Sequence, residues 1–259
     1  MLLELKKTGI RFGGLRAVQE LDLALPSGAL HGLIGPNGAG KTTVFNLVTG
    51  IYSPTEGDIL LEGRSIVGIG PARVAAAGIG RTFQNIRLFG GLTVLENVKV
   101  GMHRHLSATL MEQVFRAPRF WRDEQDADEQ CRKLLDTFGL LAVADNSADS
   151  LPYGQRRRLE IARALATRPR LLLLDEPAAG MNPSEAHDLM HLIRWVRETF
   201  GVTILLIEHH MAVIMGICER ITVLDHGARI AEGTPEEIRR DPVVIEAYLG
   251  TDTHTEKTA

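Results

Sequence analysis

Long apolar runs are missing from this chain of 259 residues: the longest is about eight residues, 211–218, against the ~18–20 that a membrane-spanning helix needs. The chain is therefore not expected to cross a bilayer by itself. Its opening, Met1-Leu2-Leu3-Glu4-Leu5-Lys6-Lys7, puts charges where an export signal would carry its apolar core, so a cytoplasmic location is expected. Cysteine is scarce: Cys131 and Cys218 stand far apart in no ligand-like spacing, which argues against a disulfide scaffold or a zinc site and fits a reducing compartment. An excess of positive charge is also missing, 29 Lys+Arg facing 32 Asp+Glu for a net of -3, so no nucleic-acid partner is expected. Aromatics reach only 5%. What is plentiful is glycine, 26 residues or about 10%, above the usual ~7%. With 44% hydrophobic residues the chain can bury a core as one large or two small domains.

Along the chain, residues 2–10 alternate weakly and 18–25 alternate well between apolar and polar; Pro26-Ser27-Gly28 then turns the chain into 29–34. The first 34 residues thus read as strands. A glycine-rich interruption at 35–40 precedes a helix at 41–48 that ends at Gly50, a short strand at 58–61 and a short helix at 71–77 with proline in its first turn. From about 85 to 165 strand signals vanish and apolar residues recur at helical spacing, as in Cys131, Leu134, Leu135 and Phe138. Leu171-Leu172-Leu173-Leu174 is too short for a buried helix and too uniformly apolar for a one-sided sheet, which predicts a parallel strand covered on both faces. A helix at 184–200, a strand at 202–207, a helix at 211–218 and a strand at 221–224 follow; this alternation predicts an α/β fold with a mostly parallel sheet. The polar residues 251–259 are expected to form a disordered tail after one domain spanning 1–250.

Gly35-Pro36-Asn37-Gly38-Ala39-Gly40-Lys41-Thr42 is a phosphate loop, G-x-x-x-x-G-K-[ST], between a strand and a helix. Its glycines let backbone N–H groups turn inward around a phosphate, and the following helix adds its partial positive charge. Lys41 is expected to bridge the β- and γ-phosphates of ATP, Thr42 to offer its hydroxyl to Mg²⁺, and Thr43 to complete the loop. The apolar strand 171–174 ends in Asp175-Glu176, at the strand end where open α/β sheets bind ligands. Asp175 is suited to hold Mg²⁺ through water, and Glu176 to polarise an attacking water.

A phosphate loop alone does not separate kinases, GTPases and motors. The segment that does is Leu151-Pro152-Tyr153-Gly154-Gln155-Arg156-Arg157-Arg158-Leu159-Glu160-Ile161-Ala162-Arg163-Ala164-Leu165, shortly before Asp175. It resembles the signature helix of the ATP-binding cassette (ABC) ATPases, normally headed by L-S-G-G-Q. Gln84, Met181-Asn182 and Ile207-Glu208-His209 follow that family's order. The resemblance implies a P-loop NTPase cassette with a mostly parallel core sheet, an antiparallel β subdomain and a helical signature subdomain at about 85–165. It implies a dimer of two cassettes, identical or paralogous, that sandwiches two ATPs, with Tyr153, Gly154 and Gln155 facing the partner's nucleotide. It further implies that Gln84 senses Mg²⁺ and the attacking water, that His209 reaches the γ-phosphate, and that Phe12 stacks on adenine.

The departures from the general pattern are Pro152 for the signature serine, Tyr153 for a glycine, Asn182 for an aspartate and His210 after the switch histidine. They coincide with Arg81-Thr82-Phe83-Gln84-Asn85-Ile86-Arg87-Leu88-Phe89, Glu176-Pro177-Ala178-Ala179-Gly180-Met181-Asn182-Pro183 and Ala247-Tyr248-Leu249-Gly250. Together these are similar to the larger ATP-binding subunit of bacterial high-affinity branched-chain amino acid importers; urea and amide importers and the lipopolysaccharide-export ATPase share parts of the pattern. Such a subunit works with integral membrane permease subunits, and indirectly with a periplasmic binding protein, from the cytoplasmic face of the inner membrane. A soluble ABC ATPase acting on DNA or ribosomes usually has two cassettes or a long charged insertion, neither of which is present. A small-molecule P-loop kinase leaves the signature helix and His209 unexplained. The basic stretch from Arg156 to Arg170 reads as a solvated or subunit-contact face with Arg156 and Glu160 paired at i,i+4. His103, His105, His209 and His210 form no metal spacing. Ile86, Leu88, Phe89 and Leu92 are either a docking surface for the membrane partner or core.

Overall fold

The computed structural model describes residues 1–103 and 118–252. It divides into two compact units, one formed by Met1–Arg81 with the segment from Arg170 onward, the other by Thr82–Pro169.

In the first unit, β1 (Leu3–Phe12) and β2 (Leu15–Leu25) pair antiparallel, and β4 (Glu56–Leu61) and β5 (Arg64–Ser65) extend them into a four-stranded sheet of order β2-β1-β4-β5. The alternation read at 18–25 holds as alternating burial from Leu21 on, with Leu21, Leu23 and Leu25 buried and Asp22 and Ala24 facing out, while Val18 is buried on the other side of a register shift in the pairing with β1. The second sheet has six strands in the order β10-β9-β3-β8-β7-β6, comprising β3 (Leu30–Ile34), β6 (Ile79–Arg81), β7 (Leu171–Asp175), β8 (Thr203–Ile207), β9 (Arg220–Asp225) and β10 (Ala228–Gly233). Five of these strands run parallel, and β10 is an antiparallel edge. All five residues of β7 are buried, as an unbroken leucine run between two covered faces requires.

The helices of the first unit are α1 (Lys41–Val48), α2 (Pro71–Ala76) and, after the second unit, α6 (Pro183–Phe200), α7 (Met211–Ile217), α8 (Pro235–Arg240) and α9 (Pro242–Asp252). One apolar cluster joins the two sheets through α1, with Leu3, Val18, Leu33, Phe45, Leu173, Leu205 and Leu224 among its buried members. α6 begins with Asn182 in a capping box with Glu185 and ends at Gly201 in the left-handed region, φ 62°. The sequence reading assigns no element past residue 224, whereas β10, α8 and α9 lie there. α9 runs through Asp252, and the rest of the expected tail, 253–259, lies outside the described residues, as does His105.

The second unit holds α3 (Val94–Met102), α4 (Pro118–Thr137), two single 3-10 turns and α5 (Tyr153–Ala166), and no strand among its described residues. Thr93 and Glu96 cap α3 reciprocally. Here the structure corrects the surface reading of the arginine run. Glu160 pairs not with Arg156 but with Arg157, at 2.7 Å and with side chains 1% and 0% exposed, while Arg156 reaches Asp149 at 3.5 Å. Positions i+3 and i+4 are both neighbours on a helix, so spacing alone does not say which of three consecutive arginines turns inward. Phe89 is exposed and Ile86, Leu88 and Leu92 are half-buried, so none of the four is core. Among the described residues no helix is long and apolar enough to cross a membrane.

Candidate active site

The loop between β3 and α1 is shaped by glycines that no other residue can replace. Gly35 and Gly40 have φ of 150° and 100°, and a Cβ at either would lie 2.0 Å from the Leu224 carbonyl oxygen or 2.5 Å from that of Ala17. The loop is braced from behind: Gly227 N–H donates to the Ala39 carbonyl (3.0 Å), and Gln19 N–H to the Gly227 carbonyl (2.7 Å). Asn37 and Gly38 stand exposed at its tip, whereas Pro36 and Ala39 are buried. Lys41 is buried and folds its ammonium onto the Gly35 and Pro36 carbonyls, 2.6 and 2.9 Å away. Burial lowers the pKa of Lys41, and the charges of Glu176 and Asp175 oppose that shift. Both carboxylates thus act on the same ammonium. Thr42, exposed, and Thr43, half-buried, open α1.

The strand order puts β8 between β3 and β7, so the loop and the carboxylates emerge from the same end of the sheet. Asp175 is held by Arg81, Nη2 to Oδ2 at 2.9 Å, in a pair whose side chains are 6% and 8% exposed. Arg81 also donates to Asn46 Oδ1 of α1 at 2.7 Å and lies 5.5 Å above the ring centre of Phe45. Glu176 follows with a left-handed φ of 45°, a conformation that costs a side-chain-bearing residue about 1–3 kcal/mol. Its N–H donates to the Ile207 carbonyl at 2.9 Å. His209 Nδ1 lies 3.5 Å from Glu176 Oε2, which brings together two residues far apart in sequence. The loop carrying His209 hangs on buried Glu208, whose carboxylate accepts the N–H groups of Ala178 (2.6 Å), His209 (3.0 Å) and His210 (3.2 Å).

Sequence reasoning passed over three of these groups. Arg81 was legible only as a subfamily residue, and Glu208 only as the letter before a histidine. The third is Tyr248, in the Ala247-Tyr248-Leu249-Gly250 motif, which makes a backbone hydrogen bond with Gly35 of the phosphate loop while burial pushes its phenol up to about 12. Ligand atoms of Glu208, His209 and His210 lie within 4.8 Å of one another, a cluster that spacing did not reveal; the carboxylate there is already engaged by backbone. Phe12 is 44% exposed at the end of β1 and meets Tyr52 edge-on, ring centres 5.2 Å apart, which leaves much of the ring accessible. Gln84, Tyr153, Gly154 and Gln155 belong to the second unit, Gln84 and Tyr153 exposed and the other two half-buried. Pro152 stands as N-cap of α5 without a side-chain cap hydrogen bond, as the loss of the signature hydroxyl requires.

A glycine-rich loop opening a helix, a buried lysine curled within it and an acidic pair at the end of a neighbouring parallel strand define a P-loop nucleotide-binding protein. A family model described as ABC transporter matches residues 18–179, and one described as branched-chain amino acid ATP-binding cassette transporter matches 228–254. The chain is 49% identical over 249 residues to the high-affinity branched-chain amino acid transport ATP-binding protein BraF of Pseudomonas aeruginosa, covering 96% of this chain and 98% of that protein. It is 47% identical to the corresponding LivG of Escherichia coli K12, with the same coverage. A solved ATP-binding cassette of an ABC transporter in its ADP conformation superposes with a TM-score of 0.83 at 31% identity, over 96% of this chain and 98% of the other. The chain belongs to the ABC transporter family of ATP-binding proteins.

Proposed function

We propose that this protein is the ATP-hydrolysing subunit of a bacterial importer of branched-chain amino acids. In that role it pairs with a second cassette and drives integral permease subunits from the cytoplasmic face of the membrane, with a periplasmic binding protein supplying the cargo. The cargo assignment rests on the resemblance to BraF and LivG across nearly the whole chain. The chemistry rests on one observation: Glu176 and His209 stand 3.5 Å apart beside the phosphate loop.

The loop 35–40 suits a triphosphate, since glycines with positive φ at 35, 38 and 40 lead straight into the N-terminus of α1, where backbone N–H groups favour an anion. Lys41 leaves the Gly35 and Pro36 carbonyls for the β- and γ-phosphates, and Phe12 supplies a face for adenine. Thr42 and Asp175 are hard oxygen donors that suit Mg²⁺ and would hold it, and the Gln84 carboxamide is its sensor in this reading; when bound, the ion neutralises charge on the phosphate oxygens. Glu176 polarises the water that attacks the γ-phosphorus and takes up its proton as the bond to the β–γ bridging oxygen breaks. His209, oriented by its contact with Glu176, bonds the γ-phosphate, and Tyr153, Gly154 and Gln155 meet the nucleotide of the opposite cassette.

Glu176→Gln keeps size and hydrogen bonding but cannot accept a proton. Its steady-state hydrolysis should fall by roughly 10²-fold or more while ATP still binds and the closed dimer accumulates. Normal turnover in that variant would remove Glu176 from the role of base.

A further inference from the structure

Among the described residues the largest fully buried side chain is not apolar but Arg157, 0% exposed, one helical turn into α5. Its guanidinium is spent on two segments of the second unit. Nη1 donates to the Phe83 carbonyl at 3.0 Å, and Nη2 donates to the Gln84 carbonyl and to the Tyr153 hydroxyl, both at 3.1 Å. Glu160 completes the arrangement: Oε2 accepts from Arg157 Nη1 at 2.7 Å, and Oε1 accepts the N–H groups of Phe83 and Arg87 at 3.2 and 3.4 Å. The backbone from Phe83 to Arg87 is thereby held to α5 through its donors and its acceptors alike, while the Gln84 side chain stays exposed.

Burial of such a pair is weak evidence that it serves stability. Buried ion pairs are often matched or surpassed by apolar residues of equal volume, and their best-attested use is to specify one arrangement among several. The arrangement specified here is a register between two points: one guanidinium nitrogen touches both the residue heading α5 and the peptide of Gln84. A shift of Tyr153 therefore moves or breaks the bond on Gln84. Only the planar fork of arginine reaches three acceptors and a carboxylate at once; the point charge of lysine does not.

We propose that Arg157, seated on Glu160, is a positioning residue that ties the head of α5 to Gln84, so that a nucleotide engaged by Tyr153-Gly154-Gln155 sets where the Gln84 carboxamide is held. The proposal rests on the ATPase reading given above, in which those two segments serve opposite nucleotides. It adds the mechanical link between them.

The test is the joint substitution Arg157→Met with Glu160→Leu in the full chain, compared with wild type for ATP affinity, kcat and amide hydrogen exchange. In a folded variant, Phe83 and Arg87 amides should exchange about tenfold faster or more, and kcat should fall about tenfold with ATP affinity within about twofold. Unchanged exchange, unchanged kcat, or an equal loss of affinity and kcat would each overturn the proposal. Should the double variant fail to fold, Tyr153→Phe removes only the hydroxyl at the link, and kcat should drop a few-fold at constant KM; an unchanged kcat overturns the proposal there too. A wild-type protein that hydrolyses no ATP would defeat the ATPase reading instead, and the exchange comparison does not depend on turnover.

Discussion

Arg81 shows how much one side chain can carry in this site. Its guanidinium lies between Asp175 at the end of β7 and Asn46 on α1, so it sets the spacing of the acidic strand end from the phosphate-loop helix. With both partners almost fully buried, deleting the arginine removes the charge-assisted bond of a buried carboxylate, a change that typically costs about 3–5 kcal/mol. Arg81→Met should therefore lower stability in urea by about that amount and weaken ATP hydrolysis with it. A variant as stable as wild type would show that Asp175 does not depend on the pair. Arg81 and Asp175 are separated by 94 positions, and no local pattern announces a contact of that range. The phosphate loop was legible for the opposite reason: its requirement is local, glycines where side chains would collide and a lysine one turn on.

At the scale of elements, β3 holds a buried histidine in the middle of the core sheet. His31 Nε2 bonds Thr222 Oγ1 of β9 at 2.8 Å, and burial lowers its pKa from 6.5 to about 4, opposed by Glu232 and aided by Arg220. The folded state thus refuses a proton that the unfolded chain accepts below pH 6.5. Stability from His31 is complete above pH 6.5 and lost as pH falls from 6.5 toward about 4, reaching roughly 3 kcal/mol at about 1.4 kcal/mol per pH unit. His31→Gln, which can keep the bond to Thr222, should flatten the decline of urea midpoints across that range. An unaltered slope would assign the acid sensitivity to other groups. The strands around His31 were readable because uniform burial leaves uniform apolar runs. β10, α8 and α9 were not, since their faces are mixed: β10 buries only Gly233, and α8 buries only Ile238 in six residues. The helix signals at α8, Thr234 capping Glu237 and Pro235 in the first turn, mark a start and no extent.

For the molecule as a whole, the decisive question is whether one chain contains a complete site. Phe12, the phosphate loop, Asp175, Glu176 and His209 belong to one unit, whereas Tyr153 and Gly154 belong to the other. Tyr153 is 42% exposed at the first turn of α5, a helix whose N-terminal N–H groups favour an anion. In the composite reading that anion is the γ-phosphate of another copy. Cysteine chemistry tests this cleanly: both native thiols are buried, Cys131 pushed up to about 11 and Cys218 to about 12, so neither supplies a reactive thiolate at neutral pH. Tyr153→Cys combined with Asn37→Cys, both on exposed positions, should form a disulfide between two chains when ATP is added to the Glu176→Gln background, and no such bond without nucleotide. On a non-reducing gel the expected product is a covalent dimer. A bond that closed within a single chain, or one indifferent to ATP, would mean that α5 does not face the nucleotide of a partner and that the cassette works by some other geometry.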